Sequence, residues 1–247
     1  MTIKMSPTEL NSKNHPHLDD LSCEDALSLM LKNQSQAINA VKKILKDIEI
    51  SVKSIHKRLS KFDKGRLIFC GAGTSARIAV QDGVELKPTF DWKPERLGFI
   101  IAGGKNAMHE SVEGSEDNIK NSIAQVKKLK INKQDVVIGL AASGSTPFTK
   151  SVLYESRKRN ALTVGIVNNP YSDFVEIVDH FLLLNTGPEV IMGSTRLKAG
   201  TSQKICLNLI STMLMVLFGR IKEGQMIFMK PTNKKLNDRF NRINKVN

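Results

Sequence analysis

The chain has 247 residues, 40% of them hydrophobic and 25% charged, which is enough for a substantial core in one large domain or two small ones. Cys23, Cys70 and Cys206 form no CxxC pair, and of His15, His17, His56, His109 and His180 only the first two stand close together, so the expectation is a reducing compartment without zinc. The net charge of +13 points toward nucleic acid, but aromatics are 5%, no nucleic-acid motif is present and the Lys and Arg are spread along the chain; no nucleic-acid partner is expected, and a basic surface also attracts an anionic small substrate.

Residues 1–20 are polar and irregular, with no apolar core of a signal peptide, so a cytoplasmic location is expected. Ser22 has the form of an N-cap, with Asp25 three residues on. Helical spacing of Ala26, Leu27, Leu29, Met30, Ala37, Ile38, Val41, Ile44 and Leu45 predicts two helices over 22–61, with a break near Asn33 and Gln34. A short polar linker, 61–65, ends this part.

The pattern then changes. Apolar runs of strand length occur at 67–70, 98–102, 135–140, 162–167 and 180–184, and helical segments lie at about 76–86, 108–129, 147–158 and 173–178. The alternation predicts an α/β fold, a three-layer α/β/α sandwich with a mainly parallel sheet, preceded by N-terminal helices. The stretch from Ile205 to Phe218 contains Asn208, Ser211 and Thr212 and is too short to span a bilayer, so it reads as a buried helix and no membrane association is expected. The tail carries Lys230, Lys234, Lys235, Arg239, Arg242 and Lys245 against Asp238, read as a solvated helix face. The predicted division is 1–60 for the polar segment and helices, 61–225 for a ligand-binding α/β domain, and 226–247 for a basic C-terminal segment.

Ligands of parallel sheets bind at the carboxyl ends of the strands, so the residues after each strand matter most. The first strand is followed by Gly71-Ala-Gly-Thr-Ser75, the third by Ser143-Gly-Ser-Thr146, and Ser194-Thr195 is read as opening the long apolar helix. Glycines let the backbone approach a ligand, hydroxyls donate, and a helix N-terminus offers free N–H groups and partial positive charge. One such loop is an ordinary strand-to-helix turn; several on one edge predict a bound phosphate. The Gly-Lys-Ser/Thr ending of a nucleotide loop is missing, and Ala76 spoils GxGxxG, so the phosphate is expected to serve as a handle and not to be transferred.

The words GAGTSARIAVQDGVELKPTF (71–90), IIAGG (100–104), VEGSEDN (112–118), GLAASGSTP (139–147), GPEVIMGSTRLKAGTSQK (187–204), LNLIST (207–212) and KPTNKKLNDR (230–239) resemble the sugar isomerase (SIS) phosphosugar-binding fold. More closely, they resemble the N-acetylmuramic acid 6-phosphate etherase family, with order and spacing matching over about 18–243. The glucokinase regulatory protein is a similar lineage with two such domains, and this chain has room for one. The resemblance implies a phosphosugar substrate, a homodimer, no cofactor and no metal. It implies removal of the D-lactyl ether from carbon 3 by elimination and hydration, in peptidoglycan recycling. Glu85 is then the acid that protonates departing lactate and later activates water, and Glu116 the base at carbon 2, with Asp117 second choice. The phosphate falls to Thr74, Ser75, Ser143, Ser145 and Thr146 with the N–H groups of Gly73 and Gly144; Glu189, Ser194 and Lys198 face the sugar or complete the site. A non-catalytic sugar-phosphate regulator and an aldose–ketose isomerase are the other readings of the fold. The chain departs from the family pattern at Ala76 (usually Gly), Ser145 (usually Arg), Asn11-Ser-Lys13 (usually Arg-Asn-Pro) and Phe228 (usually Asp), and ends at Asn247 without the family's C-terminal helical extension.

Overall fold

The computed structural model describes residues 6–10 and 16–228; the expectations about His15, Asn11 to Lys13 and the basic tail from Lys230 lie outside them. Two helices open the fold, α1 (Cys23–Lys43) and α2 (Leu45–Lys61). Then come β1 (Leu67–Gly71), α3 (Gly73–Phe90), β2 (Leu97–Ile101), α4 (Ile119–Lys128), β3 (Val136–Ala141), α5 (Pro147–Lys158), β4 (Leu162–Val167), the single turn α6 (Phe174–Ile177), β5 (His180–Leu183) and α7 (Lys198–Leu217). A two-residue hairpin follows, β6 (Ile221–Lys222) with β7 (Gln225–Met226).

The larger sheet has the order β2-β1-β3-β4-β5 with every neighbouring pair parallel. The three central strands are buried at every position, as expected of a sheet covered on both faces. The period of two along a strand separates the two cores. Phe69, Ile138 and Val164 face Ile55 and Leu59 of α2 and Cys206, Ile210 and Leu214 of α7. Ile68, Val137 and Val167 face Val126 of α4, Phe148 and Val152 of α5 and Phe174 of α6. The predicted three-layer α/β/α sandwich is therefore present, with α2, α3 and α7 on one side, α4 to α6 on the other, and α1 packed on α7.

Three expectations change in detail. The break between the first helices falls at Ile44, not near Asn33 and Gln34, because Asn33 is turned inward and buried on α1 while Ile44 leaves helical geometry (φ −115°, ψ 19°). The segment expected as one helix over 108–129 is helical only from Ile119. Before that, Gly103, Gly104 and Gly114 all have positive φ and the chain makes two 3-10 turns, Gly104–Met108 and Ser115–Asp117; Asn118 then caps α4 by accepting from the Asn121 N–H at 2.9 Å. The helix expected from Ser194 begins at Lys198, after a tight turn in which the Thr195 N–H reaches the Gly193 carbonyl at 2.9 Å. Ser22 caps α1 as read, accepting from the Asp25 N–H at 3.2 Å.

Arginines tie the amino ends of the strands together. Arg58 donates to the carbonyls of Lys133 and Asn160 at 2.6 and 2.8 Å, and Arg96 to those of Gly65 and Leu59, both at 2.8 Å. The Asp135 carboxylate, 1% exposed, accepts from Arg66 Nε at 2.9 Å and Nη2 at 2.7 Å, and from the Asn132 N–H at 3.0 Å. Its presence holds the Arg66 guanidinium above its ordinary pKa. Removing one member of a buried pair strands the other. Asp135→Ala is therefore expected to cost about 3 kcal/mol in urea unfolding, and a loss under about 0.5 kcal/mol would contradict this account.

Candidate functional site

The strand order reverses direction between β1 and β3, and the carboxyl ends outside that switch point are the crevice where open α/β sheets bind ligands. The two loops singled out in the sequence lie there. β1 and β3 are neighbours, with Gly71 opposite Leu140, and a side chain at Gly71 would come within 3.1 Å of the Leu140 carbonyl oxygen and of the Ala76 nitrogen. Glycine at 71 thus lets α3 start close against the sheet.

Gly73 begins α3 at φ 52° with open space around it, and no side chain caps the helix. The first intrahelical bond runs from the Ala76 N–H to the Ala72 carbonyl, 3.2 Å. The N–H groups of Gly73, Thr74 and Ser75 precede that bond and carry the positive end of the helix dipole. Ala76, where the family pattern has Gly, is buried in this first turn.

The second loop is held from behind. Gly144 takes φ 66°, and its N–H bonds the Ala141 carbonyl at 3.0 Å. Ser172 donates its hydroxyl to the Gly144 carbonyl at 2.5 Å, and Asn169 Nδ2 donates to the Ser143 carbonyl at 2.9 Å. Ser143 Oγ lies 3.4 Å from Thr146 Oγ1 and accepts from the Ser145 N–H at 3.3 Å. Ser145 itself is exposed. Thr146 precedes α5 without a side-chain cap, and Pro147 occupies the first helical position. Neither Asn169 nor Ser172 was singled out from the sequence; the Asn-Asn-Pro run after β4 was the available signal, and its meaning depends on β4 lying beside β3.

The third helix start is different. Glu189, 1% exposed, accepts from the N–H groups of Lys198 at 3.2 Å and Ala199 at 2.9 Å. An internal carboxylate therefore already fills the anion position at the head of α7. Burial raises the Glu189 pKa, with the two amides opposing it, and burial lowers that of Lys198, with Glu189 opposing. Lys198 Nζ donates to Gln36 Oε1 of α1 at 2.6 Å. Both residues are placed to hold α7 in position. α7 still reaches the rim, because a side chain at Gly200 would touch Thr74 Cγ2 at 3.4 Å. Ser194 sits half-buried in the preceding turn.

The two glutamates are differently placed. Glu116 is exposed on the 3-10 turn Ser115–Asp117, which packs beside α5 on the carboxyl side of the sheet. Glu85 is exposed on α3, and at about 1.5 Å per residue it stands about 18 Å along the axis from Gly73. One chain does not bring Glu85 to the loops at the head of its own α3. Between them on α3, Asp82 is buried against α7, bonded through Oδ1 to Asn208 Nδ2, and burial raises its pKa. Among the described residues no cluster of three or more His, Cys, Asp or Glu has the arrangement of a metal site, and no helix is long and apolar enough to cross a membrane. Phe228 is exposed with Arg220 4.3 Å over its ring.

The family profile of the glucokinase regulatory protein N-terminal SIS domain matches residues 43–156, and that of the SIS domain matches 116–215. N-acetylmuramic acid 6-phosphate etherase of Staphylococcus epidermidis is 39% identical over 237 residues, covering 96% of this chain and 79% of the relative. The same enzyme of Staphylococcus aureus is 43% identical over 242 residues, covering 98% and 80%. A putative sugar-phosphate isomerase of Listeria monocytogenes shares the fold at TM-score 0.59 with 14% identity, over 82% of this chain and 95% of that one.

The second loop offers a direct test of the rim. In Gly144→Ala the new Cβ meets Ser172 Cβ and Oγ at 2.5 Å in a backbone region unfavourable to L side chains by about 1–2 kcal/mol. Binding of glucose 6-phosphate, followed by titration calorimetry, is expected to weaken at least about tenfold in a protein that still folds. Unchanged affinity would remove this loop from the ligand site.

Proposed function

The chain belongs to the N-acetylmuramic acid 6-phosphate etherase family, and we propose that it cleaves the D-lactyl ether of N-acetylmuramic acid 6-phosphate by elimination and hydration, as a carbon–oxygen lyase. The products are N-acetylglucosamine 6-phosphate and D-lactate. The observation that carries the reading is the pair of uncapped helix starts, α3 and α5, on neighbouring strand ends of a chain 39–43% identical to named etherases over nearly its whole length. The phosphosugar-binding unit is 61–225, flanked by the N-terminal helices and the basic C-terminal segment. The cellular setting is the cytoplasm, in peptidoglycan recycling.

In this reading the phosphate docks on the N–H groups of Gly73 and Gly144 and the hydroxyls of Thr74, Ser75, Ser143, Ser145 and Thr146. Ring opening exposes an aldehyde at carbon 1, which acidifies the proton on carbon 2. The Glu116 carboxylate takes that proton while the Glu85 carboxylic acid protonates the ether oxygen on carbon 3. The carbon–oxygen bond breaks and lactate leaves an alkene between carbons 2 and 3. Glu85, now a carboxylate, takes a proton from water as its oxygen adds to carbon 3, and Glu116 returns the proton to carbon 2. General acid–base steps of this kind contribute about 10²–10⁴-fold each. No bound group beyond the two carboxyls is needed to balance the steps.

A homodimer accounts for the position of Glu85. The site takes Glu116 and the loops from one protomer and Glu85 from its partner. Support comes from exposed apolar side chains on α1, α3 and α7. Val84 is 47% exposed beside Glu85, Leu27, Leu31 and Ile38 form an exposed stripe on α1, and Met213 on α7 is 43% exposed. Large exposed apolar surface marks an interaction site, and twofold pairing is the commonest closed arrangement. The match of 43–156 to the regulatory-protein domain favours a second reading, a sugar-phosphate sensor without turnover.

Purified protein incubated with N-acetylmuramic acid 6-phosphate is expected to release D-lactate, and Glu116→Gln and Glu85→Gln each to lose about 10²–10⁴-fold in rate. Binding without lactate at high protein concentration would favour the sensor. When the two inactive variants are unfolded and refolded together, about half the dimers are mixed and each has one intact site, so about a quarter of the wild-type rate should return. No recovery would place both glutamates in one chain.

A further inference from the structure

A cavity of about 330 Å³ opens beside the end of β2, bounded by Gly103, Gly104 and the turn from Val112 to Ser115 on one side and by Asn118, Asn121 and Gln125 of the α4 region on the other. It borders the turn that carries Glu116. Its chemistry differs from that of the phosphate rim. The lining contains no Lys or Arg, and its one ionisable side chain is Glu113, so both a phosphate and a lactyl carboxylate are disfavoured there. Gln125 Nε2 donates to Asn121 Oδ1 at 2.5 Å and to the Ile101 carbonyl at 3.3 Å. That leaves Asn121 Nδ2 as a donor and Gln125 Oε1 as an acceptor, two groups locked to each other and to the sheet. Val112, 36% exposed, adds an apolar wall.

A fixed donor, a fixed acceptor and a small apolar surface, without cations, match a neutral secondary amide. Resting on the reading of Glu116 as the carbon-2 base, we propose that this cavity is the subsite for the 2-acetamido group of the sugar. Asn121 Nδ2 donates to the acetamido carbonyl, Gln125 Oε1 accepts its N–H, and Val112 packs on the methyl. The stereochemistry is consistent: the base must approach carbon 2, and the other substituent on carbon 2 is the acetamido group. Seating that group beside Glu116 turns the carbon-2 proton toward the carboxylate. The cavity is thus a specificity determinant that separates N-acetylated sugar phosphates from plain ones.

The test compares N-acetylglucosamine 6-phosphate with glucose 6-phosphate by titration calorimetry on the full chain. Wild type is expected to bind the first at least about tenfold more tightly, the effect of one or two well-placed hydrogen bonds. Asn121→Leu and, separately, Gln125→Met should shrink that preference to under about threefold while glucose 6-phosphate affinity holds. Ser75→Ala, in contrast, should weaken both ligands together and keep their ratio. Equal affinity in wild type, or an undiminished preference in both folded variants, overturns the subsite and leaves the phosphate rim standing. Failure of wild type to bind either sugar phosphate overturns the rim itself, and the subsite with it.

Discussion

The N-terminus of α3, set against the sheet without a cap, is the feature on which the rest of the molecule depends. A helix start normally satisfies its free N–H groups with a neighbouring side chain or water. Here the chain turns out of β1 through Ala72 and enters the helix at Gly73 with φ 52°, and no side chain takes the capping place. Gly71 makes the turn this tight, since a Cβ there would press on both the Leu140 carbonyl and the Ala76 nitrogen. The amides are left without a side-chain cap, and the parallel order β2-β1-β3-β4-β5 delivers the α5 start to the adjacent strand end. Two aligned helix starts favour an anion electrostatically, and the strand order makes their convergence unavoidable.

The treatment of α7 shows that this openness is selective. Its first turn lies against Thr74, yet Glu189 occupies its amides from within. Placing a carboxylate there satisfies α7 and sets a negative charge behind the rim. That charge offsets the buried Lys198 ammonium, whose pKa is lowered by burial and supported by Glu189. The Gln36 contact then ties α1 to the same point. α1, which carries exposed Leu27, Leu31 and Ile38, is thereby anchored to the helix that touches Thr74.

What was legible in the sequence follows from which interactions are local. The strand runs at 67–70 and 162–167 reappear as Leu67–Gly71 and Leu162–Val167, because central parallel strands are continuous apolar runs regardless of what covers them. The Gly and hydroxyl loops were legible because their function needs particular residue types in sequence. The glycine breaks between Gly103 and Gly114 were visible as residues, but periodicity across 108–129 favoured one helix, and the positive φ values came only with the tertiary fold. Glu189 as a cap was hidden for another reason. Its partners lie nine and ten residues on, outside any capping box, and its burial comes only with the packing of α7 against α1, α2 and α3. Asn169 and Ser172 are of the same kind, local in no sense except across the sheet.

In the proposed homodimer the length of α3 links the two sites. Its head belongs to one rim, and Glu85 stands about 18 Å away, presented on the outer surface near Val84. If one end serves the protomer's own phosphate loop and the other serves the partner's carbon 3, the helix is a rigid strut shared by both sites. Its pitch is then set by what holds it between the ends. Asp82 is the residue in that position, one turn before Glu85, buried on α7 and bonded to Asn208, with its second oxygen unpartnered among the described residues. A buried carboxyl is a costly way to pack two helices, and an apolar residue would pack them at lower cost. The directional bond that Asn208 Nδ2 donates to Asp82 Oδ1 fixes the rotation of α3 about its own axis, which apolar contacts define only loosely. That rotation sets the direction in which Glu85, one turn further on, leaves the helix surface.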